Sequence, residues 1–200
     1  VGFNPPIYGS DTKNTFFDKN DCKHWNLSKL DTMLNAVKFG KFDKIKDVPG
    51  VISPYVYIGM WKSTFCWHRE DANLYSISYL HYGDAKQWYI IPPKYAKKFL
   101  NFCKKQFPVA AKQCPGFVHH KSCLIKPKLI RDNNIPVKSM TQNAGEFMVL
   151  FPQAFHQGFN YGFNIAEAVN FATERWISHG FEWISQKQFL CECRDDRVSF

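Results

Sequence analysis

The fold and the chemistry of this chain are decided by the stretch His68-Arg69-Glu70 together with His156, which follows 86 residues after Glu70. Alternate residues of a β-strand point to the same side, so His68 and Glu70 can bind one ion together. A histidine from a distant strand then completes one face of an octahedron and leaves three positions open, as an Fe(II) centre that binds a co-substrate and dioxygen requires. The spacing predicts a redox centre rather than a structural metal. In a chain with seven histidines, this pattern also occurs by chance, so the surrounding residues decide whether it marks a metal site.

Composition limits the class of protein. A length of 200 residues fits one domain, and 45% hydrophobic with 17% aromatic residues describes a packed, β-rich globule and excludes a disordered chain. The net charge of +9 favours an anionic partner or an anionic setting such as chromatin. The alternative is a basic protein that is merely soluble, because no run of five basic residues occurs.

Cysteine usage and the chain ends indicate the compartment. The seven cysteines are an odd number without the spacing of a disulfide scaffold, which favours a reducing compartment. The chain begins at Val1 without a charged-then-apolar leader, so we expect a segment of a longer protein. The longest stretch without acidic or basic residues, 147–166, contains Pro152 and His156, and we expect no membrane span.

Hydrophobic periodicity predicts two helices and several strands. An amphipathic helix is predicted from Ser28 to Phe39, and a second from Pro93 to Lys105 with Tyr95, Phe99, Phe102 and Cys103 on one side. The predicted strands are short, aromatic or β-branched, and bounded by Gly, Pro or Asn: Tyr55 to Trp61, Tyr75 to Tyr82, Gln87 to Ile91, Glu146 to Phe151 and Ala166 to Ala172. Metal ligands on antiparallel strands favour a mainly β fold with flanking helices, a double-stranded β-helix or cupin-like jelly roll.

Lys86 and Tyr8 are candidates for holding an organic acid co-substrate. An Fe(II) oxygenase needs such an acid as a source of two electrons, and the distal carboxylate of a dicarboxylate requires a cation and hydroxyl donors. Lys86 follows a turn and precedes a strand with Trp88, a setting in which a buried lysine must be paired to stay charged. The alternative is an ordinary surface lysine.

Five motifs resemble a known family. They are Gly59–Asp71, Leu74–Gly83, Ala144–Phe147, Phe155–Asn160 and Asn164–Ala172. In sequence they resemble the JmjC domain of histone lysine demethylases, and the resemblance is closest to the JmjN-containing group that removes trimethyl and dimethyl marks from histone H3. It extends from about Asn4 to Cys193.

The resemblance assigns roles to the metal and co-substrate residues. It implies that His68, Glu70 and His156 bind iron, and that Tyr8 and Lys86 hold the distal carboxylate of 2-oxoglutarate. Phe65 and Trp88 would form the walls of that pocket. Ser78 stands where the family group usually has an asparagine that bonds the co-substrate, and its shorter side chain carries one hydroxyl in place of an amide.

A second metal site is indicated by three thiols and one imidazole. Cys114, His120, Cys191 and Cys193 have the ligand chemistry of a closed, structural zinc site and match the zinc ligands of the same family group. Buried cysteines that behave as small hydrophobes are the alternative. His119 is expected to be a bystander.

The resemblance also implies a chamber for the methylated lysine. Its residues would be Tyr55, Tyr57, Gly50, Ala168 and Asn170, with Asp11 and Lys121 near the path of the peptide. Tyr55 and Tyr57 fall on one face of a strand, which suits a chamber wall and also suits ordinary core packing. Ring faces and weak C–H contacts to oxygen can position a methylammonium, which lacks strong hydrogen-bond donors. Ala168 and Val169 replace a Ser-Thr pair of some family members.

These implications define the expected function. We expect an Fe(II)- and 2-oxoglutarate-dependent dioxygenase that demethylates trimethyl- and dimethyl-lysine on histone H3, with lysine nine favoured over lysine thirty-six. The protein would be nuclear, would regulate transcription and would have the H3 tail within chromatin as its partner. The alternatives are a JmjC protein hydroxylase and a catalytically silent histone-binding module. Residues 1–175 would form the catalytic domain and 176–200 a zinc-linked segment, with JmjN and reader domains outside the chain.

Overall fold

The computed structural model describes residues 4–17, 24–35 and 50–185. Nine strands and four α-helices occur in these ranges. The strands are β1 (Gly9–Thr12), β2 (Tyr55–Gly59), β3 (Thr64–His68), β4 (Tyr75–Gly83), β5 (Lys86–Ile91), β6 (Lys138–Gln142), β7 (Phe147–Leu150), β8 (Phe155–Asn160) and β9 (Asn164–Phe171). The α-helices are α1 (Ala96–Gln106), α2 (Pro108–Gln113), α3 (Pro127–Asp132) and α4 (Trp176–Ser185). Short 3-10 helices span Leu27–Lys29, Met33–Asn35, Asp71–Asn73, Pro93–Tyr95 and Phe117–His120.

Two antiparallel sheets form the framework. One sheet has the order β1-β2-β9-β4-β7 and the other the order β3-β8-β5-β6. Side chains of both sheets pack together, as Trp88 of β5 does with Met148 and Leu150 of β7. Strands that are neighbours in a sheet are often distant in sequence, which is the crossed connectivity of a jelly roll. The prediction of a mainly β, cupin-like jelly roll is confirmed.

The five predicted strands are present as β2, β4, β5, β7 and β9, with ends that differ by one or two residues. Strands β1, β3, β6 and β8 were not among the predicted strands, although His68 and Glu70 were expected to lie on one strand, and Glu70 in fact follows β3. In β8, buried positions carry His156, Gln157 and Asn160 in place of the apolar residues that mark a strand. Polar residues of β8 form part of the site described below. The strand therefore lacks the hydrophobic pattern from which strands are predicted.

The second predicted helix is confirmed, with its first turn in 3-10 form. Pro93 begins that turn, and Phe99, Phe102 and Cys103 of α1 are buried. Residues 92–137, called the helical insert below, join β5 to β6 and contain α1, α2 and α3. Phe99 packs between Trp67 and Phe155, with ring centroids 5.1 Å apart in both pairs. The insert is therefore anchored on the ends of β3 and β8.

The prediction of an α-helix from Ser28 to Phe39 is wrong over the described residues, and 36–39 lie outside them. Two separate 3-10 helices occupy this region, because Leu30 has an extended backbone (φ −61°, ψ 121°) that ends the first. Leu27 packs with Ile77 and Val169, and Leu34 packs with Leu74 and Ala172. The apolar spacing that resembles a helix thus serves packing on the five-stranded sheet.

The remaining elements add packing at one end of the domain. The indole N–H of Trp176, at the start of α4, donates to the carbonyl oxygen of Ala72 at 2.9 Å.

None of the helices in the described ranges has the length and apolar character needed to cross a lipid bilayer.

Candidate metal centre and cavity

Three side chains converge between the two sheets. His68 ends β3, His156 lies directly opposite it on β8, and Glu70 follows β3 in an extended conformation. Their ligand atoms all lie within 4.8 Å of one another, and His156 Nε2 is 3.4 Å from Glu70 Oε1. This brings together the two imidazoles and one carboxylate predicted from the sequence.

Backbone carbonyls orient both imidazole rings. Nδ1 of His68 donates to the carbonyl oxygen of Cys66 at 2.7 Å, and Nδ1 of His156 donates to that of Ala154 at 3.1 Å. A hydrogen on Nδ1 leaves Nε2 with a free lone pair in the neutral ring. Both rings therefore present a ligand atom to the same point, as metal-binding histidines do.

The carboxylate of Glu70 is held in its charged form. Burial acts to raise its pKa, but the hydrogen bond with His156, the positive charge of His156 or His68 when either is protonated, and a hydrogen bond from Asn170 outweigh burial and leave the pKa below its usual range. Nδ2 of Asn170 donates to Oε2 of Glu70 at 2.9 Å, which leaves Oε1 directed at His156. Burial, with the charges of His156 and Lys121, lowers the pKa of His68 well below the ordinary value. A neutral imidazole beside an ionised carboxylate suits a divalent cation.

The centre opens into a cavity of about 280 Å³. Side chains of both sheets and of the helical insert form its walls. These are Tyr8, Ser10, Asp11, Gly50, Tyr57, Thr64, Phe65, Cys66, His68, Glu70, Ser76, Ser78, Lys86, Trp88, Lys121, His156, Ala166, Ala168, Val169 and Asn170. Among described residues, His68, Glu70 and His156 form the one cluster of histidine, cysteine and carboxylate groups with metal-binding spacing.

Lys86 is buried at the cavity wall, with 3% of its surface exposed. Its Nζ donates to Asn160 Oδ1 at 2.7 Å and to the hydroxyl of Tyr8 at 3.3 Å. No carboxylate in the described ranges lies within ion-pair distance of Nζ, and burial lowers the pKa of Lys86 to about 7. A buried cation without an anion is costly, so this wall is complementary to a ligand carboxylate.

Tyr8 supports the same wall. Burial raises the pKa of its phenol, the hydrogen bond with Asn160 opposes that effect, and Asp11 adds to it. The phenol therefore stays protonated and can donate to an anion. Tyr8 and Lys86 thus form a neutral donor and a cation side by side.

The other predicted co-substrate residues lie on the same cavity. Phe65 and Trp88 contact edge to face with ring centroids 4.9 Å apart, and Trp88 Nε1 donates to Gln142 Oε1 at 3.0 Å. Ser78 of β4 is 5% exposed and lies opposite Ala168 in the sheet register. Ser78 is among the residues that line the cavity.

Most predicted substrate residues also reach the cavity. Gly50, Tyr57, Asp11, Lys121, Ala168 and Asn170 are among its lining residues. Tyr55 is not; it packs against Gly50, where an added Cβ would lie 2.6 Å from the Tyr55 ring. Gly50 also has φ +81°, so a side chain would be strained there for two reasons. Tyr55 therefore packs behind Gly50, which lines the cavity.

The predicted zinc ligands are only partly described. Cys114 is buried, and His120 lies at the end of the 3-10 helix Phe117–His120. Cys191 and Cys193 lie outside the described residues. The neighbouring His119 is largely buried, which, with the charge of Arg69, lowers its pKa to about 4. The zinc site stays a prediction.

Asn160 is a site residue for which the sequence analysis proposed no role. Its Oδ1 accepts from Lys86 Nζ and from Asn164 Nδ2, and its Nδ2 donates to Ser63 Oγ at 2.8 Å. Asn160 and Asn164 are both completely buried. The sequence signal that could have identified Asn160 is a pair of asparagines four residues apart that flank the turn between β8 and β9. Buried amides require hydrogen-bond partners, so such a pair indicates a polar network.

A jelly roll in which a histidine at the end of β3, a histidine on β8 and a carboxylate just after β3 converge defines the class of this protein. It has the donor set of a mononuclear non-haem metal centre in a cupin-like barrel. The family model described as "JmjC domain, hydroxylase" matches residues 55–171. The chain belongs to the JmjC-domain family. Membership implies dependence on Fe(II) and 2-oxoglutarate. The donor set fits the iron, and Lys86, which has only neutral partners among the described residues, fits a carboxylate of 2-oxoglutarate.

Three relatives are similar over nearly the whole chain. "Probable lysine-specific demethylase 4F" of Homo sapiens is 47% identical over 197 residues, which is 98% of this chain and 30% of the relative. "Lysine-specific demethylase 4D" of Rattus norvegicus is 44% identical over 99% of the chain and 37% of the relative. "Lysine-specific demethylase 4B" of Mus musculus is 44% identical over 98% of the chain and 17% of the relative. The chain thus spans between about a sixth and somewhat over a third of their lengths.

Proposed function

We propose that this protein is an Fe(II)- and 2-oxoglutarate-dependent histone lysine demethylase. The observation that carries the proposal is that one cavity contains both a three-donor metal centre and a buried lysine for which the described residues provide no carboxylate partner. The names of the relatives supply the substrate class, since all three are called lysine-specific demethylases.

Each group of side chains has a task in this reaction. His68, Glu70 and His156 would hold the iron, while Lys86 and Tyr8 would hold the distal carboxylate of 2-oxoglutarate. Iron, with 2-oxoglutarate and dioxygen, supplies the oxidation that converts an N-methyl group into a hydroxymethyl group, which leaves as formaldehyde. Phe65 and Trp88 would exclude water from the co-substrate, so that the oxidation is directed at the bound methyl group.

The methylated side chain would enter between Tyr57 and Asn170. A methylammonium is attracted by ring faces and by oxygen atoms at C–H distance. Burial, with the charges of Asp11 and Glu70, raises the pKa of Tyr57 well above its ordinary value, so its hydroxyl stays neutral. Oxidation at the methyl carbon requires no lone pair on nitrogen, which makes trimethyl-lysine accessible.

We further propose that the substrate is the tail of histone H3, with lysine nine favoured over lysine thirty-six, and that the protein acts on chromatin in the nucleus. The relationship to named demethylases supports the histone substrate. The net charge of +9 supports an anionic setting such as chromatin, because the histone tail itself is basic. A structural zinc held by Cys114, His120, Cys191 and Cys193 would complete the metal content.

The test is mass spectrometry of trimethylated H3 peptides incubated with the protein, Fe(II), ascorbate and 2-oxoglutarate. We expect losses of one methyl group at a time with stoichiometric formaldehyde. The variant His156→Ala should abolish both and retain zinc, whereas His24→Ala, at an exposed histidine away from the cavity, should retain activity.

Two results would contradict the proposal. A stable hydroxylated product without formaldehyde would indicate a protein hydroxylase instead. Peptide binding without any turnover by the iron-loaded protein would indicate a silent binding module.

A further inference from the structure

The net charge of the helical insert equals the net charge of the whole chain. Residues 92–137 contain ten of the 26 basic residues and only one of the 17 acidic residues, Asp132. The rest of the chain has equal numbers of basic and acidic residues, 16 of each. The net charge of +9 therefore belongs to 46 residues that are not part of the β-framework.

Five of these charges lie on one side of the α1 region. Lys94, Lys97, Lys98, Lys104 and Lys105 recur at helical spacing and are all exposed, and we call them the basic face. The opposite side of α1 carries the buried residues Phe99, Phe102 and Cys103. Core packing thus orients α1 so that its lysines are directed to solvent.

The insert offers little internal neutralisation for these charges. In the described part of the chain, the one ion pair formed by an insert residue joins Lys128 to Asp132, two exposed side chains 2.8 Å apart. Lys98 instead donates to the carbonyl oxygen of Asn134 at 2.9 Å. Exposed like charges on a short helix repel each other, so a polyanion on this side would relieve that repulsion.

We propose that the basic face binds duplex DNA through its phosphate backbone, without sequence preference. Lys97 and Lys104 are seven residues apart, so they are separated along the helix by about 10.5 Å and lie on the same side. Ammonium groups on flexible stems suit the regular phosphates of a duplex, and neutralising them releases counterions.

The composition of the insert favours duplex DNA over other polyanions. Binding of single strands uses exposed aromatic rings as stacking platforms, and the exposed large apolar residues of the insert are aliphatic: Val109, Leu124 and Leu129. Protein interfaces are enriched in aromatic residues and arginine and depleted in lysine, whereas this insert has nine lysines and one arginine.

The insert is also physically joined to the metal centre. Trp67 and Phe155, which pack on Phe99, directly precede His68 and His156, and Lys121 of the insert lines the cavity. DNA on the basic face would therefore be held by an element in contact with the site. DNA binding itself does not depend on the proposed demethylation and can be measured without iron or 2-oxoglutarate.

The test is fluorescence anisotropy of a labelled 30-base-pair duplex titrated with the 200-residue chain at several salt concentrations. We expect a Kd in the micromolar range at low salt, equal affinity for duplexes of unrelated sequence, and a steep loss of affinity with salt. Neutralising three lysines in Lys97→Gln/Lys104→Gln/Lys105→Gln should weaken binding about tenfold or more and reduce the salt slope by up to about 2.7.

The matched control removes the same charge elsewhere. Lys13→Gln/Lys29→Gln/Lys62→Gln changes three exposed lysines outside the insert and should lose less than about threefold in affinity. Equal loss in both triple variants would overturn the proposal, because it would show a response to net charge alone. Polyglutamate that competes as well as DNA at equal charge concentration would also overturn it.

A measurement on the unmodified protein guards against a variant that fails to fold. Lysine acetylation followed by mass spectrometry should show protection of Lys97, Lys104 and Lys105 by DNA and none of Lys13 or Lys62. Absence of that protection at saturating DNA would overturn the assignment of the surface.

Discussion

At the scale of single residues, Lys86 combines burial, two neutral hydrogen-bond partners and a pKa lowered to about 7. Between that pH and the ordinary lysine value near 10.4, the folded chain binds fewer protons at this position than the unfolded chain, so Lys86 makes stability rise with pH in that window. Binding of a dicarboxylate has the opposite pH dependence, because the ligand requires the protonated form of Lys86.

We therefore predict that the affinity for 2-oxoglutarate falls as the pH rises above about 7, by up to tenfold per pH unit. Calorimetry between pH 6.5 and 8.5, with Mn(II) in place of Fe(II) to prevent turnover, measures the trend. Two buffers of different ionisation enthalpy should reveal proton uptake on binding. The variant Lys86→Arg stays charged throughout and serves as the control. Affinity of the unmodified protein that is constant over this range would contradict the prediction.

Ser78 gives a second prediction at this scale. It is buried at the cavity wall. The resemblance to the family group implies that an asparagine usually stands at this position and forms a hydrogen bond with the co-substrate. Ser78→Asn should add a hydrogen bond from the side-chain amide to 2-oxoglutarate. We expect the KM for 2-oxoglutarate to fall by about three- to tenfold, which corresponds to the net free energy of one hydrogen bond. Steady-state kinetics with varied 2-oxoglutarate measures the change. The exposed Ser122→Asn is the control, and an unchanged or higher KM in Ser78→Asn would refute the expected contact.

At the scale of elements, the success of sequence reasoning depended on what each segment buries. Strands β4 and β9 are rich in apolar and aromatic residues because they lie in the middle of a sheet, and α1 has one apolar side. The site strand β8 was missed because its interior side chains hold a metal site and an amide network. The prediction of an α-helix after Asn26 was wrong because the spacing of its leucines reflects their packing on the five-stranded sheet and not the period of a helix.

The candidate site was predictable to the extent that its residues lie in recognisable motifs. The three metal ligands and Lys86 were found in this way. The partners of Lys86 were not, because the bond from Lys86 to Asn160 joins residues 74 positions apart. Sequence spacing alone does not reveal such a contact.

The contact between the helical insert and the sheet yields a prediction about α1. Phe99 is fully buried between Trp67 and Phe155, so Phe99→Ala should lower the free energy of unfolding by about 3–5 kcal/mol. The same variant should bind Mn(II) more weakly, because the two neighbouring rings precede the histidine ligands.

Urea denaturation and metal titration test this prediction. The control is Val109→Ala in α2, at a side chain that is 69% exposed, which should change the free energy of unfolding by less than about 0.5 kcal/mol. A change below about 1 kcal/mol in Phe99→Ala would show that the insert unfolds separately from the sheets.

At the scale of the whole molecule, the predicted zinc would join the middle of the chain to its C-terminal residues. We expect about one zinc per chain in addition to iron, and Cys114→Ala should remove it and lower the Tm. Elemental analysis after purification measures the content. The control is Cys103→Ala, at a buried free cysteine in α1, which should keep its zinc. Zinc retained in Cys114→Ala would exclude Cys114 as a ligand.

Among the described residues, those outside the insert include seven basic and nine acidic residues, whereas the insert has ten basic and one acidic residue, so the described part of the molecule is an electric dipole. In solution, the field of a polyanion would rotate the chain before any contact forms, so that the insert arrives first. Encounters would then be fast at low ionic strength and slow sharply as counterions shorten the range of the field. The direction of approach is thus determined during diffusion, before any chemistry at the metal centre begins.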